Sequence, residues 1–462
     1  MAWFCRFFPM TGLSQTAGAR WKPAIGLALL GILLMLAPVV VAPRLFAQAA
    51  ATPGHAGQTQ PPQSAYTLPP GKLAEAITLS RIRNVMDIVD SLWGLGVLWL
   101  LLATRFAARM QAWAERVASR RWLQGLVFFA VLIVLVMLTN LPLDLFAHLV
   151  SRSYGISVQT WPGWFADEGK ALGLSLAVGA PVLLLFNWIV RRWPRRYWLG
   201  AWAVTLPLMA LSMLVEPFIE PLFDHYEPLS KSHPGLVARL EEVAARTGTQ
   251  IPPDRMFLMK ASEKSTGLNA YVSGIGPTKR IVVWDTTADH IPQDEIMFVF
   301  AHESGHYVLH HIPKMMAGSA VGLFFIYWAC AGFGAWLARR FGPRWGLPVN
   351  EPLASRAGFV VLIFAIALAG FILEPVSNTF SRYFEHQADV YGQEAIHGLV
   401  PDAQQTAVAS FNALGEAWLE DPDPSPFIEF WEYNHPSVKT RANFAAHYDP
   451  WANGGHGQFF KQ

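Results

Sequence analysis

The stretch Ala301-His302-Glu303-Ser304-Gly305-His306 carries residue types and a spacing suited to metal chemistry. Residues four apart share one face of a helix. His302 and His306 can therefore aim imidazole nitrogens at one ion, with Glu303 beside them as general base for a water held there. An open catalytic zinc takes three protein ligands, so a third must come from elsewhere. His310 and His311 follow on the same expected helix, but a rigid helix cannot wrap three residues spanning two turns around one ion. The position that would complete a three-histidine motif, ten residues after the first, holds Ile312. His310 and His311 read as structural or surface histidines. Glu385 is the better candidate, in the helix-like run from Asn378 to Asp389. Asp389 lies one turn further on, placed to accept the other ring N–H of a ligating histidine. Arg382 can pair with either carboxylate.

Long apolar elements must position these groups. Of 462 residues, 53% are hydrophobic and only 15% charged, and mean hydropathy is +0.28. Soluble domains average roughly 25% charged residues. The composition excludes a disordered chain and argues against a purely water-soluble one. A net charge of +2 gives no support to a nucleic-acid partner. Two cysteines, Cys5 and Cys330, exclude a disulfide scaffold and a thiolate zinc cage.

Seven windows are near-continuously apolar: 23–41, 91–103, 122–138, 171–190, 198–215, 315–337 and 356–373. Several approach the ~20 residues a spanning helix needs, and none shows the alternation of a barrel strand. The second is the shortest and is expected to start near Asn84. The expected organisation is a first span or signal peptide at 1–48, then an Ala/Pro/Gln-rich linker at 49–71. Spans two to five follow at 72–218, a small subdomain at 219–314, spans six and seven at 315–374, and a C-terminal part at 375–462. Cleavage after Ala49 is weighed against an uncleaved span, which the length of the run favours. Arginines cluster at 105–121, 191–196 and 339–344, and with the N-terminal cluster they alternate to one side. The positive-inside rule makes that side cytoplasmic and leaves 216–314 and everything after Glu374 on the other. Within 219–314, Leu236, Val237, Leu240, Val243 and Ala244 share a helix face. Runs 256–260, 268–273 and 280–284 read as strands. A helix opened at 291–295 is expected to run through His311.

His302-Glu303-x-x-His306 followed by Ser381-Arg382-x-x-Glu385-x-x-Ala388-Asp389 resembles the integral-membrane gluzincin proteases of the type I CAAX prenyl endopeptidase family. The likeness extends to the segment from Glu220 to Leu229, to Asn269-Ala270-Tyr271, to the run from Lys279 to Thr286, and to His435-Pro436 with Arg441. Gly155-Ile156-Ser157 to Asp167 has a weak counterpart, and the likeness covers most of the chain from about Lys72. The resemblance implies a mainly α, polytopic fold, with seven helices forming a chamber closed by a gluzincin domain that contains a small β-sheet. It implies one Zn2+ held by His302, His306 and Glu385, with Glu303 as base and then acid. It implies that His435 steadies the oxyanion and that Asn269, Ala270 and Tyr271 lie on an edge strand pairing with substrate, with Arg441 nearby. The substrate would be a peptide or protein, prenylated in the family, met at the lipid surface. Eukaryotic members turn the catalytic domain towards the cytosol, opposite to the side the arginines indicate.

Three other readings fit parts of the sequence. An HtpX-like quality-control metalloprotease shares the chemistry but has fewer spans. A site-2-type intramembrane protease would put the zinc helix in a span, whereas only 296–301 is apolar before the motif. A non-catalytic transporter or scaffold would use Asp144, Glu216 and Glu374 near span ends, although each can simply cap a helix.

Overall fold

A computed structural model describes residues 64–249, 251–274 and 276–460. The expected first span and residues 49–63 of the linker lie outside the described residues. The chain enters α1 (Pro70–Ala103), which begins well before Asn84. A short helix, α2 (Phe106–Val117), tucks Ala107, Met110 and Ala114 against the bundle and leads into α3 (Arg121–Ser153). α4 (Trp161–Leu174) starts where the Thr160 hydroxyl accepts the Gly163 N–H. It continues through a widened turn at Ser175–Gly179 into α5 (Ala180–Arg192), and α6 (Tyr197–Ile219) follows.

A small domain begins with β1 (Tyr226–Pro228), α7 (Leu229–Ser232) and α8 (Pro234–Thr247). The five apolar residues expected on one face of α8 are all buried. β2 (Met256–Met259), β3 (Ala270–Ser273) and β4 (Arg280–Trp284) complete a four-stranded sheet in the order β1-β2-β4-β3. β2 and β4 are parallel, and the two outer pairs are antiparallel. β3 is thus an edge strand. The three expected strands form; β1, three residues with no alternation to mark it, was not anticipated.

A short α9 (Asp285–His290) precedes α10 (Gln293–Val308), which carries His302 and His306. The helix was expected to run through His311. It stops at Val308 instead, because His310 adopts a left-handed conformation (φ 55°), and α11 (His311–Trp345) starts in a new direction. α12 (Arg356–Ile396) is capped by the Ser355 hydroxyl and runs unbroken for 41 residues. At 1.5 Å per residue that is about 60 Å, twice the hydrocarbon thickness of a bilayer. Its first half is the last span and its second half carries Glu385 and Asp389. α13 (Ala403–Trp418), α14 (Pro426–Trp431) and α15 (Val438–His447) close the chain around it.

Six helices among the described residues are long and apolar enough to cross a membrane, and they contain the six apolar windows from 91 to 373. Only 17% of the α6 window and 28% of the α11 window is buried within the protein. Apolar faces so bare, with Phe218, Val321 and Phe325 among them, are solvated by lipid rather than water. The arginine clusters gather at one end of this bundle. Arg105 Nε donates to the Arg344 carbonyl at 2.9 Å, and Arg356 reaches Glu115 and the Arg121 carbonyl. α12 leads from that end to the small domain at the other.

α10 packs tightly on α12. A Cβ on Gly392 would lie 3.0 Å from the His302 nitrogen, and one on Gly305 would lie 3.0 Å from the Tyr391 ring. At such distances the His302 backbone or the Tyr391 ring would have to give by a few tenths of an ångström. The two glycines therefore set how closely Glu385 approaches the histidines.

Candidate metal centre

One turn of α10 and one turn of α12 bring three side chains together. His302 Nε2 lies 3.2 Å from His306 Nε2 and 3.3 Å from Glu385 Oε2. His306 Nε2 lies 3.5 Å from Glu385 Oε1. Among the described residues, these are the group of histidine and carboxylate donors placed to hold a metal ion. His302 and Glu385 are buried, and His306 nearly so.

The remaining ring nitrogens are occupied from behind. Asp389 Oδ1 accepts from His302 Nδ1 at 2.9 Å. Asp389 is itself clamped by Arg441, Nε to Oδ2 at 2.9 Å and the terminal nitrogen to Oδ1 at 2.5 Å. On the other histidine, Nδ1 of His306 faces Nδ1 of His311 at 3.1 Å, and His311 Nε2 donates to Gln387 Oε1 at 3.1 Å. A neutral His311 that donates through Nε2 must accept through Nδ1. His306 then donates through Nδ1 and presents a bare Nε2 to the centre. Outer partners of this kind fix tautomer and ring angle in metal sites.

Charge balance supports a cation here. Burial opposes protonation of His302, but hydrogen bonds to Asp389 and Glu385 overcome it and carry the ring up to about 9. Burial drives His306 down to about 3. Without a metal, the Glu385 and Asp389 carboxylates face two positive charges, the Arg441 guanidinium and a proton on His302, and a metal ion would displace that proton. Glu303 is pushed up to about 7, by burial and then by repulsion from Glu385, while the Val272 backbone N–H steadies its charged form.

Other expected residues divide. His435 joins the cluster, with Nε2 3.2 Å from Glu385 Oε2 and Nδ1 2.6 Å from Asn434 Oδ1. Arg382 was expected on Glu385 or Asp389. It turns away and donates to the carbonyls of Glu429, Phe430 and Tyr433, because α14 ends there with bare carbonyls. It thereby ties down the segment that delivers His435. Arg441 was expected near substrate. Its guanidinium is 13% exposed and committed to Asp389. Asn269, expected on the strand, sits just before β3; its carbonyl accepts from Trp284 N–H, so odd-numbered residues turn their backbone towards β4. Even-numbered Ala270 and Val272 turn theirs to the open edge, and Val272 spends its N–H on Glu303. The Tyr271 hydroxyl points under the sheet, 3.3 Å from that of Tyr226. Sequence reasoning missed His311 as a partner of the cluster. Its only signal was its place after the motif, and the left-handed His310 that swings it back gave none.

The chain is similar to known proteins over most of its length. Residues 230–449 match Peptidase family M48, and residues 55–225 match the CAAX prenyl protease N-terminal domain with five membrane helices. A Bacillus subtilis protein named as uncharacterized metalloprotease YhfN is 30% identical over 81% of this chain and 86% of its own length. The chain belongs to peptidase family M48. Within it, the chain groups with the CAAX prenyl proteases: CAAX prenyl protease 1 of Saccharomyces cerevisiae is 28% identical over 69% of this chain and 71% of its own. The crystal structure of S. mikatae Ste24p superposes with a TM-score of 0.70 at 24% identity, covering 82% of this chain and 90% of that one, and shows the same fold. This M48 protein is an integral, multi-pass membrane metalloprotease, not a transporter or scaffold.

Two outcomes follow from the geometry. His311→Leu should weaken metal binding by about 10–100-fold. His311→Asn, whose amide oxygen can stand where Nδ1 accepts, should keep most of it. Calorimetric titration of metal into the apo-protein separates the two, and equal loss in both would assign His311 to packing alone. Because uptake displaces the His302 proton, affinity should fall about tenfold per pH unit as pH drops from 8 to 6. Affinity flat across that range would contradict the shared-charge account.

Proposed function

We propose that the M48 protein is a zinc-dependent endopeptidase whose ion is held by His302, His306 and Glu385. The observation that carries this reading is the spacing of the three donor atoms. Tetrahedral zinc with bonds of about 2.0–2.1 Å has ligand–ligand edges of about 3.3 Å. The edges here are 3.2, 3.3 and 3.5 Å. Two neutral imidazoles and one carboxylate also match the donor set of an open catalytic zinc site. When bound, zinc would supply Lewis acidity, polarising the peptide carbonyl and lowering the pKa of water to about 7.

The chain's own residues do the rest. Ala270 offers backbone N–H and C=O at the open edge of β3, where an extended peptide can pair as a further strand. Asn269 and Tyr271 flank it and set the strand's register. Glu303 takes the proton from the attacking water and returns it to the leaving amine. The Val272 N–H holds that carboxylate in place. His435 faces the carbonyl oxygen where charge builds, and with Nδ1–H held by Asn434 Oδ1 it can donate from Nε2 in its doubly protonated form. Asp389 orients His302, Arg441 holds Asp389, and Arg382 holds the loop bearing His435.

The substrate we propose is a peptide or protein delivered from the lipid surface, with a prenylated C-terminus the leading class. The matched N-terminal domain and the named CAAX prenyl proteases among the relatives support this. The arginine-rich end of the bundle supports a catalytic domain on the extracytoplasmic side.

Detergent-purified protein should cleave a farnesylated CAAX peptide faster than the unmodified peptide. Glu303→Gln should retain its zinc and lose at least about 10²–10⁴-fold in turnover. Full activity in that variant would remove Glu303 from the chemistry. Equal cleavage of both peptides would remove prenylation while leaving the protease reading intact. A reporter fused to the C-terminus should be active only outside the cytoplasm, and cytoplasmic activity would reverse the orientation.

A further inference from the structure

The basic end of the bundle, far from the metal centre, holds a cavity of about 260 Å3 among α2, α3, α5 and the start of α12. Arg121, Arg191 and Arg356 line it, and Glu115 is the one carboxylate in its wall. Three guanidinium groups thus face a single acid. Arg356 is 6% exposed. It donates to Glu115 at 3.2 Å, to the Arg121 carbonyl at 2.8 Å and to Gln124 at 3.0 Å. Its Nε–H is buried and has no partner among the described residues. Arg191 and Arg121 both repel its charge. Burying a cation beside two like-charged neighbours is costly unless an anion completes the set.

An apolar groove of about 480 Å3 adjoins the cavity, between the start of α6 and α11. Trp198, Trp328, Gly332 and Ala335 form its floor and sides. Residues close in the chain line the two spaces. Leu353 lines the groove and Ala354 the cavity, while Arg195 lines the groove and Arg191, four residues earlier, the cavity. Trp328 is 60% exposed on the lipid-facing perimeter. Inorganic phosphate would satisfy the arginines and leave the groove bare. A zwitterionic lipid would fill the groove but bring a second positive charge, its headgroup ammonium, to the three arginines.

We propose that this paired cavity and groove is a binding site for one anionic phospholipid, its phosphodiester between Arg121, Arg191 and Arg356 and an acyl chain along Trp198 and Trp328. Basic pockets between spans at a membrane interface suit such headgroups. The site lies at the opposite end from the metal centre and is independent of the proposed reaction.

Delipidated full-length protein, titrated with phosphatidylglycerol, phosphatidylcholine or inorganic phosphate, tests this by native mass spectrometry and thermal unfolding. Phosphatidylglycerol should bind at least about tenfold more tightly than phosphatidylcholine. Arg121→Gln with Arg191→Gln should erase that preference, and Arg116→Gln with Arg120→Gln, an equal charge loss outside the cavity, should keep it. Equal binding of the two lipids would overturn the proposal. So would equal stabilisation by inorganic phosphate, or equal loss of preference in both double variants.

Discussion

Two imidazole nitrogens 3.2 Å apart, with a buried carboxylate 3.3–3.5 Å from each, form a pocket that needs positive charge to exist. Removing such groups from water is costly unless their charges are balanced. Much of the surrounding structure serves that balance. Asp389 and Arg441 sit behind one histidine and His311 and Gln387 behind the other, so neither ring can swing its second nitrogen inward. Gly305 and Gly392 let the two helices approach closely enough for the three donors to meet.

The constraint ties the membrane bundle to the small domain. His302 and His306 ride on a helix packed against the sheet, whereas Glu385 rides on a rod that begins among the arginines at the far end of the bundle. α12 is unbroken, so packing inside the bundle sets the position of Glu385. The chain after α12 then folds back over it. Glu394, fully buried, accepts the backbone N–H groups of Gln458, Phe459 and Phe460 and the Tyr448 hydroxyl. Residues 458–460 are thereby anchored about two and a half turns beyond Glu385.

The sequence made legible whatever depends on period or composition. Apolar windows located six spans because lipid demands long unbroken apolar helices. Spacing placed His302 with His306 and Glu385 with Asp389, because a helix fixes which residues share a face. What depends on tertiary direction was hidden. His311 reaches His306 only because His310 turns left-handed, and helical periodicity carries no trace of that break. Arg382 had two carboxylates in prospect and Arg441 only a place near substrate, and only the fold decides which partner a long side chain finds. β1 is too short to alternate, and it forms because β2 offers it an edge.

Zinc K-edge X-ray absorption on the purified protein tests the central claim most directly. The account predicts stoichiometric zinc in a four-coordinate nitrogen and oxygen shell at about 2.0–2.2 Å, with the outer scattering of two imidazoles. A preparation without zinc, or zinc in a six-coordinate oxygen shell lacking imidazole scattering, would contradict it.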